Sequence, residues 1–322
     1  MGNRLVAARD NLITSRAVIG MYYARLEQNP GLKWIEAISS YFTSDQGKET
    51  YPWLGQAPGM SEWKGARRPK GVPEHYIEIE NKDFDASLAF PLAMLRRDKT
   101  GQVKARVEDL ADRTNSHWSK LLSDLIARLP ATVCYDGQYF FDSDHGEGES
   151  GTQGNIVSVD ISELPCEVHG TPTAPSVEEM AQAVLQGITA LFSFKDDQGE
   201  PMNEAARSFL VQVPLGLWTK AQAAVKQPLQ SPGQSNVVQT MDDLTITVVP
   251  NPRLTWSNKF VVWRTDAPLK PLIRQEEVKV QLTAIAEGSE HEKLRKEHLY
   301  MVDTSRNVGA GYWQFAALVE LT

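Results

Sequence analysis

The chain has 322 residues, 41% of them hydrophobic and 23% charged, with a formal net charge of -8. That apolar content suffices for one large core or two and excludes a disordered chain, and the acidic balance argues against a dedicated nucleic-acid binder, which would carry a basic stripe. Two cysteines, Cys134 and Cys166, are too few for a disulfide framework and lack zinc-ligand spacing. The first residues show no signal-peptide pattern, and no apolar run approaches the roughly 18 residues of a membrane span, so a soluble protein of the cytosol, or of an assembly made there, is expected.

From Met1 to Gln46 the chain is mixed and mildly basic. Leu5 to Tyr23 reads as partly helical, and after the Pro30-Gly31 break Trp34, Ile35, Ile38, Tyr41 and Phe42 have helical spacing. This predicts an arm followed by a short docked helix. Gly47 to Thr100 differs. Tyr51-Pro52-Trp53-Leu54-Gly55 is extended, because a residue before proline is pushed out of the helical region. Lys64 to Pro73 holds two glycines, two prolines and four bases and cannot be regular strand or helix. Ile77 and Ile79 then alternate with Glu78 and Glu80, while Phe84, Ala86, Leu88, Phe90 and Leu92 alternate on the other parity. The switch predicts a bulge at Asn81, Lys82 and Asp83. The segment therefore reads as a long β-loop with a basic tip and an acidic return strand, needing something to lie on.

Val103 to Leu129 is the organising element. Val103, Val107, Leu110, Ala111, Thr114, Trp118, Leu121, Leu122, Leu125 and Leu129 recur at steps of three, four and seven and share one helical face; Asp109, Asp112, Ser116, Lys120 and Ser123 oppose them. Asp109 with Arg113 and Asp124 with Arg128 are expected ion pairs, and Pro130 stops a helix of roughly 40 Å.

Thr132 to Asp142 reads as strand, Asp-Gly turn, strand, and His145 to Asn155 as an exposed loop. Val177 to Phe192 is an amphipathic helix capped by Ser176. Phe209 to Pro214 is a buried strand leading into a helix at Leu217 to Val225, and Pro228 to Asn236 is a loop. Strands follow at Leu244 to Val249, Lys259 to Trp263, Glu277 to Leu282, His298 to Val302 and Tyr312 to Leu321. Without regular βαβ alternation the class is α+β.

Catalytic chemistry is thinly represented. Cys134 with His145 lacks a third orienting group, and a cysteine in a strand is ordinarily a small buried hydrophobe. Asp142, Asp144 and His145 could ligate a metal, which leaves a soluble metal-dependent enzyme as an alternative; solvated loop polarity is the plainer reading. His291 and His298, among Glu290, Glu292 and Glu297, lack metalloprotease spacing. No catalytic, metal or cofactor site is assigned.

Several motifs in order, Tyr51-Pro52-Trp53-Leu54-Gly55, Glu62-Trp63, the acidic-aromatic return strand, the long helix, Cys134-Tyr135-Asp136-Gly137, Phe140-Phe141-Asp142 and His145, are similar to the major head subunit of phage Mu and its prophage relatives. Phe209 to Pro214, Val261-Val262-Trp263 with Asp266, Pro271-Leu272-Ile273 and Gly311-Tyr312-Trp313-Gln314 continue the resemblance over nearly the whole chain. It implies the Hong Kong 97-type capsid fold, with an N-terminal arm and docked helix at 1–46, an extended β-loop at 47–98, the spine helix and start of a peripheral domain at 99–145, an axial domain at 146–268, and peripheral return strands with a C-terminal strand at 269–322.

The function so implied is a major capsid protein of a tailed phage or Mu-like prophage, a virion component assembled in the host bacterial cytoplasm into hexamers and pentamers of an icosahedral shell around double-stranded DNA. A cellular nanocompartment shell is a variant within the class. Implied partners are copies of the same chain, a separate scaffold and maturation protease, a portal protein, a decoration protein and packaged DNA touched non-specifically, with no membrane and no cofactor. Arg67, Arg68 and Lys70 at the loop tip are expected to meet carboxylates of an adjacent subunit, with Phe84, Leu88 and Phe90 supplying more of the contact energy, since an exposed ion pair contributes only about 0–1 kcal/mol. Val107, Leu110, Trp118, Leu121 and Leu125 are expected to pack the spine helix. Lys70 is also the candidate for the lysine–asparagine bond that some relatives of the fold form, although nothing local marks it.

Overall fold

A computed structural model describes residues 13–29, 31–52, 76–98, 100–227, 229–230, 234–236, 238, 241 and 243–322. Its elements in chain order are α1 (Ser15–Gln28), α2 (Lys33–Ile38), β1 (Ser39–Thr43), β2 (Lys48–Pro52), β3 (Tyr76–Glu80), β4 (Lys82–Pro91), α3 (Leu92–Arg97), α4 (Gln102–Arg128), β5 (Ile156–Val159), α5 (Val177–Ser193), β6 (Ser208–Val213), α6 (Leu215–Lys226), β7 (Leu229–Gln230), β8 (Gln234–Ser235), β9 (Thr245–Pro250), β10 (Lys259–Arg264), β11 (Leu272–Ile285), α7 (Glu290–Arg295), β12 (Glu297–Ala310) and β13 (Ala316–Leu321). Two compact units divide the chain, one of residues 1–32, 81–119 and 276–306, the other of 33–80, 120–275 and 307–322. The division falls inside α4, β11 and β12.

In the first unit β4 pairs antiparallel with β12 over ten residues, from Glu297 opposite Pro91 to Arg306 opposite Lys82. Val18 and Tyr22 of α1, Phe90, Leu95, Tyr300, Val302 and Leu282 form one core with Val103, Val107 and Ala111 of α4. Asp98 starts α4, its carboxylate accepting from the amides of Gln102 at 3.1 Å and Val103 at 2.9 Å. The polar side of α4 ties down α1. Arg25 donates to both oxygens of Asp112 at 2.9 and 2.8 Å, and Asn115 donates to the carbonyls of Leu26 at 3.2 Å and Asn29 at 2.6 Å. The Leu26 carbonyl is in the last turn of α1 and Asn29 is its C-cap, positions with no intrahelical donors left for their carbonyls.

The second unit carries a five-stranded mixed sheet in the order β5-β13-β10-β6-β9. β10 is antiparallel to β13 and β6, whereas β13–β5 and β6–β9 are parallel. Phe260, Val261, Val262 and Trp263 are all fully buried, so β10 is covered on both faces, as its unbroken apolar run requires. α5 lies close on this sheet at Gly187, where an added Cβ would come within 2.8 Å of Val262 and 2.9 Å of Val319. Ser176 and Glu179 form a reciprocal capping box that starts α5.

Several expectations need correction. Tyr41 and Phe42 are in strand β1, because the helix ends at Ile38 and Ser39 bonds back to the Ile35 carbonyl. Ser123, assigned to the polar face of α4, is 1% exposed and donates to Asn251 Oδ1 at 3.3 Å. The buried stripe of α4 moves round by roughly a quarter turn, from Val103, Val107 and Ala111 to Leu122, Ser123 and Ile126, at about 100° per residue. The Asp124 carboxylate pairs with Lys120 at 2.8 Å, leaving Arg128 on the Asp124 backbone carbonyl; the Asp109–Arg113 pair forms as expected at 3.0 Å. Thr132 to Asp142 holds a single bridge between Val133 and Tyr139 around Gly137, whose φ of 85° suits a turn, in place of two strands. The 145–155 loop is anchored at both ends, with His145 and Asn155 fully buried. Tyr312 precedes a 3-10 turn at Trp313–Phe315, and only Ala316–Leu321 is strand; that strand, grouped with the return strands from sequence, is hydrogen-bonded between β5 and β10. The expected break of parity is found at Asn81, the one residue between β3 and β4.

Candidate assembly surface

β2 and β3 make a two-stranded ribbon, Lys48 opposite Glu80 and Pro52 opposite Tyr76. Arg67, Arg68 and Lys70 lie outside the described residues. The ribbon is fixed at its base by side chains. Tyr51 donates to Gln275 Oε1 at 2.8 Å, Gln275 donates to the Ile79 carbonyl at 3.3 Å, and Asn307 to the Glu80 carbonyl at 2.7 Å. Burial pushes the Tyr51 phenol up to about 12, so it is a donor at any physiological pH. Ile79, 3% exposed, sits over Gly309, where an added Cβ would fall 2.4 Å from Ile79 Cδ1.

The residues expected to supply apolar contact to a neighbour are engaged within their own unit. Phe90 is 2% exposed with its ring 5.9 Å from Tyr300, Leu88 packs on the same core, and Phe84 meets the His117 ring edge-on at 4.4 Å. β4 is an edge strand with one face on α4, and its apolar parity turns to that face. Exposed apolar side chains lie elsewhere, at Tyr41, Phe42 and Tyr76, with Phe42 5.3 Å from Tyr51 and Arg274 5.5 Å over Tyr41. Lys48 pairs with Glu78 across the ribbon and is thereby held above its usual range.

Of the residues expected to pack the long helix, Val107 and Leu125 are buried, Leu110 and Leu121 half-buried, and Trp118 half-buried beneath Arg306, whose guanidinium is 4.6 Å from the ring. Arg306 is itself 2% exposed and donates to His117 Nδ1 and the Thr114 carbonyl. Sequence reading missed Arg306 because nothing local marks a buried arginine in a strand; Ile126, fully buried, was missed because it lies off the first-half stripe.

The alternative chemical centre dissolves into packing. His145 Nδ1 lies 2.6 Å from Asp136 Oδ2 and its ring stacks on Trp313 at 4.0 Å and 8°. Asp142 accepts from the amides of Tyr139 and Ser143, with the Ser143 amide first among the groups that hold it below the usual carboxylate range. Cys134 is a buried thiol against the Gly311 carbonyl at 3.4 Å, and desolvation pushes it well above the range of a nucleophile. Among the described residues no three His, Cys, Asp or Glu side chains converge to hold a metal, and no helix is long and apolar enough to cross a membrane. What this region does is lock loops together. Asn155 donates to the Phe140 carbonyl at 2.7 Å and accepts from the Asp142 amide at 2.9 Å, and Gln314 donates to the Tyr135 hydroxyl at 2.6 Å.

Comparison with known proteins agrees with this. The chain is 32% identical over 123 residues to the Mu-like prophage FluMu major head subunit of Haemophilus influenzae, a match covering 38% of the chain and 40% of that protein. It is 29% identical over 136 residues to the major capsid protein of Escherichia phage Mu, covering 40% and 45%. The matched stretches therefore span less than half of either relative. The solved procapsid of bacteriophage JBD30 superposes with a TM-score of 0.55 at 20% identity, covering 95% of this chain and 74% of that one, and the fold is of the Hong Kong 97 type. Residues 21–164 and 248–322 match the family described as Mu-like prophage major head subunit gpT, and the chain belongs to that family.

Proposed function

We propose that this chain is the major head subunit of a tailed phage or Mu-like prophage, and that its copies assemble into hexamers and pentamers of an icosahedral shell around double-stranded DNA. The observation that carries the reading is the coincidence of the family match over 21–164 and 248–322 with a Hong Kong 97-type fold spanning 95% of the chain in the superposition. Its work is association, with modest contacts multiplied by symmetry and ring closure. No reaction is assigned to it. On this reading residues 1–46 are the arm and docked helix, 47–98 the extended loop over a neighbouring subunit, 99–145 the spine and start of the peripheral domain, 146–268 the axial domain and 269–322 the closing strands. The loop-tip cations Arg67, Arg68 and Lys70 meet carboxylates of the adjacent subunit. A separate scaffold, a maturation protease, a portal and a decoration protein complete the particle, which forms in the host cytoplasm and ends in the virion.

Sedimentation and negative-stain microscopy of the full chain, alone and co-expressed with its scaffold, test the reading. Closed particles of uniform diameter, or capsomer-sized rings, are the expected result. A monomer under both conditions overturns it.

A further inference from the structure

We propose that a basic ledge at one end of the β4–β12 pair docks against an acidic face at the other end of the same pair in a second copy of this chain. The proposal deepens the capsid-subunit reading and rests on it. The antiparallel register, Glu297 opposite Pro91, brings the start of α3 and the end of α7 to one end of the pair, where the Leu92 amide donates to the Lys296 carbonyl at 2.9 Å. Arg96, Arg97, Lys293, Arg295 and Lys296 line one open groove there, all five exposed and none with a side-chain hydrogen bond or ion pair among the described residues. Two of the neighbouring carboxylates are occupied. Glu292 accepts from the Gly288 amide and from His298, and Glu297 lies 3.1 Å from His291 Nε2. Leu294, 74% exposed, stands among the cations. The groove holds about 730 Å³, room for several side chains of a folded surface and far more than a single small ion fills.

The complement is at the opposite end. Asp85 lies directly across from Asp303, and Asp83 across from Ser305, which in turn lies 3.4 Å from Glu277. Two like charges opposed on adjacent strands destabilise the pairing that holds them, unless a cation from outside lies over them. Of the cations near them, Arg113 and Arg306 line a cavity with Asp85 but are engaged, Arg113 with Asp109 and Arg306 with His117 and the Thr114 carbonyl, which leaves the four carboxylates in excess. From Asp85 to Pro91 is six residues of strand, about 20 Å, which is more than twice the Debye length of ~8 Å at physiological salt. The ledge and the acidic face of one subunit therefore cannot neutralise each other. A contact between unlike ends is heterologous, the kind that propagates into rings. Each exposed ion pair strengthens such a contact about 1.4- to 5-fold, so three together strengthen it roughly 3- to 100-fold.

The test uses the full chain under the conditions in which wild type assembles. Asp83→Asn/Asp85→Asn/Asp303→Asn should leave the thermal midpoint of the subunit unchanged or higher, because repulsion is relieved, yet lower the assembled fraction. Assembly in wild type should also fall with added salt. Reversed variants sharpen this. D83K/D85K/D303K and R96E/R97E/R295E/K296E should each fail to form rings or particles alone, and mixing the two should restore six-membered rings, in which the variants alternate because the first carries two basic ends and the second two acidic ones, but not closed shells, whose five-membered rings cannot alternate. One-ended variants that assemble like wild type overturn the docking while leaving the capsid reading intact, as does loss of DNA binding without loss of assembly in the ledge variant. No particles from wild type under any condition overturns both.

Discussion

Glu179 offers the sharpest test of how the second unit is held together. It is fully buried in the first turn of α5, and its carboxylate accepts from the Ser176 amide at 2.7 Å, from the Gly170 amide at 3.1 and 3.0 Å, and lies 3.0 Å from His169 Nδ1. Gly170 is too close to the Ala174 carbonyl and Pro175 backbone to carry a side chain. Replacing Glu179 by Ala leaves two part-buried amides without an acceptor and removes half of a capping box. At about 1–3 kcal/mol per unsatisfied group, softened by water entering the vacated space, the loss should be about 3 kcal/mol. Glu179→Gln keeps one acceptor oxygen and its shape and should cost roughly half as much. For a unit of 150–250 residues, 3 kcal/mol lowers the thermal midpoint by about 6–12 °C. Differential scanning calorimetry of the full chain reads the shift, and limited proteolysis should show faster cleavage between residues 164 and 176. Both variants melting within 1 °C of wild type would refute the reasoning.

Three further outcomes are expected. Gly187→Val forces a branched side chain between α5 and the sheet at Val262 and Val319, and should destabilise the unit by about 1–3 kcal/mol in thermal unfolding, the overpacking outweighing the modest gain in helix propensity. The Asp98 carboxyl is held below its usual range, first by the Val103 amide, so its capping contribution is complete above about pH 4, the value of the unfolded chain, and is lost as pH falls through the lower folded value; hydrogen exchange at Gln102 and Val103 should accelerate over that window, and Asp98→Asn should remove the pH dependence. A maleimide should label one thiol per native chain, the half-buried Cys166, and both only after unfolding, because Cys134 is buried and its pKa raised by desolvation. Labelling of Cys134 in the native state would contradict the packing described.

The long helix was legible because its signal is regular: an apolar step of three and four over 27 residues, a proline at the end and acid-first pairs on the outside. The capped α5, the buried strand at 208–213 and the break of parity at Asn81 were legible for the same local reasons. What could not be read is what long-range pairing decides. β11 and β12 run to 14 residues each although their apolar alternation is marked over only five or six, because hydrogen bonding to neighbouring strands extends them past it. Ser123 reads as a polar-face residue until Asn251, 128 positions away, is brought against it. Phe84, Leu88 and Phe90 have the alternation of a half-buried strand, and the pattern alone does not say whether the covering surface is a neighbour or the strand's own helix. The buried Arg306 carries no local mark, since its partners His117 and Thr114 lie 189 and 192 positions away.

The placement of β13 sets a timetable. Leu318 pairs with Ile156 in parallel register, about 160 residues apart, and the same strand pairs β10 on its other side. Until β13 is made, β5 and β10 face each other across a missing strand and two rows of backbone donors and acceptors stay unsatisfied. At ~5–20 residues per second of synthesis, β5 waits on the order of 8–32 s for its partner, so it joins the sheet late in translation, after β9, β6 and β10 have been able to pair among themselves.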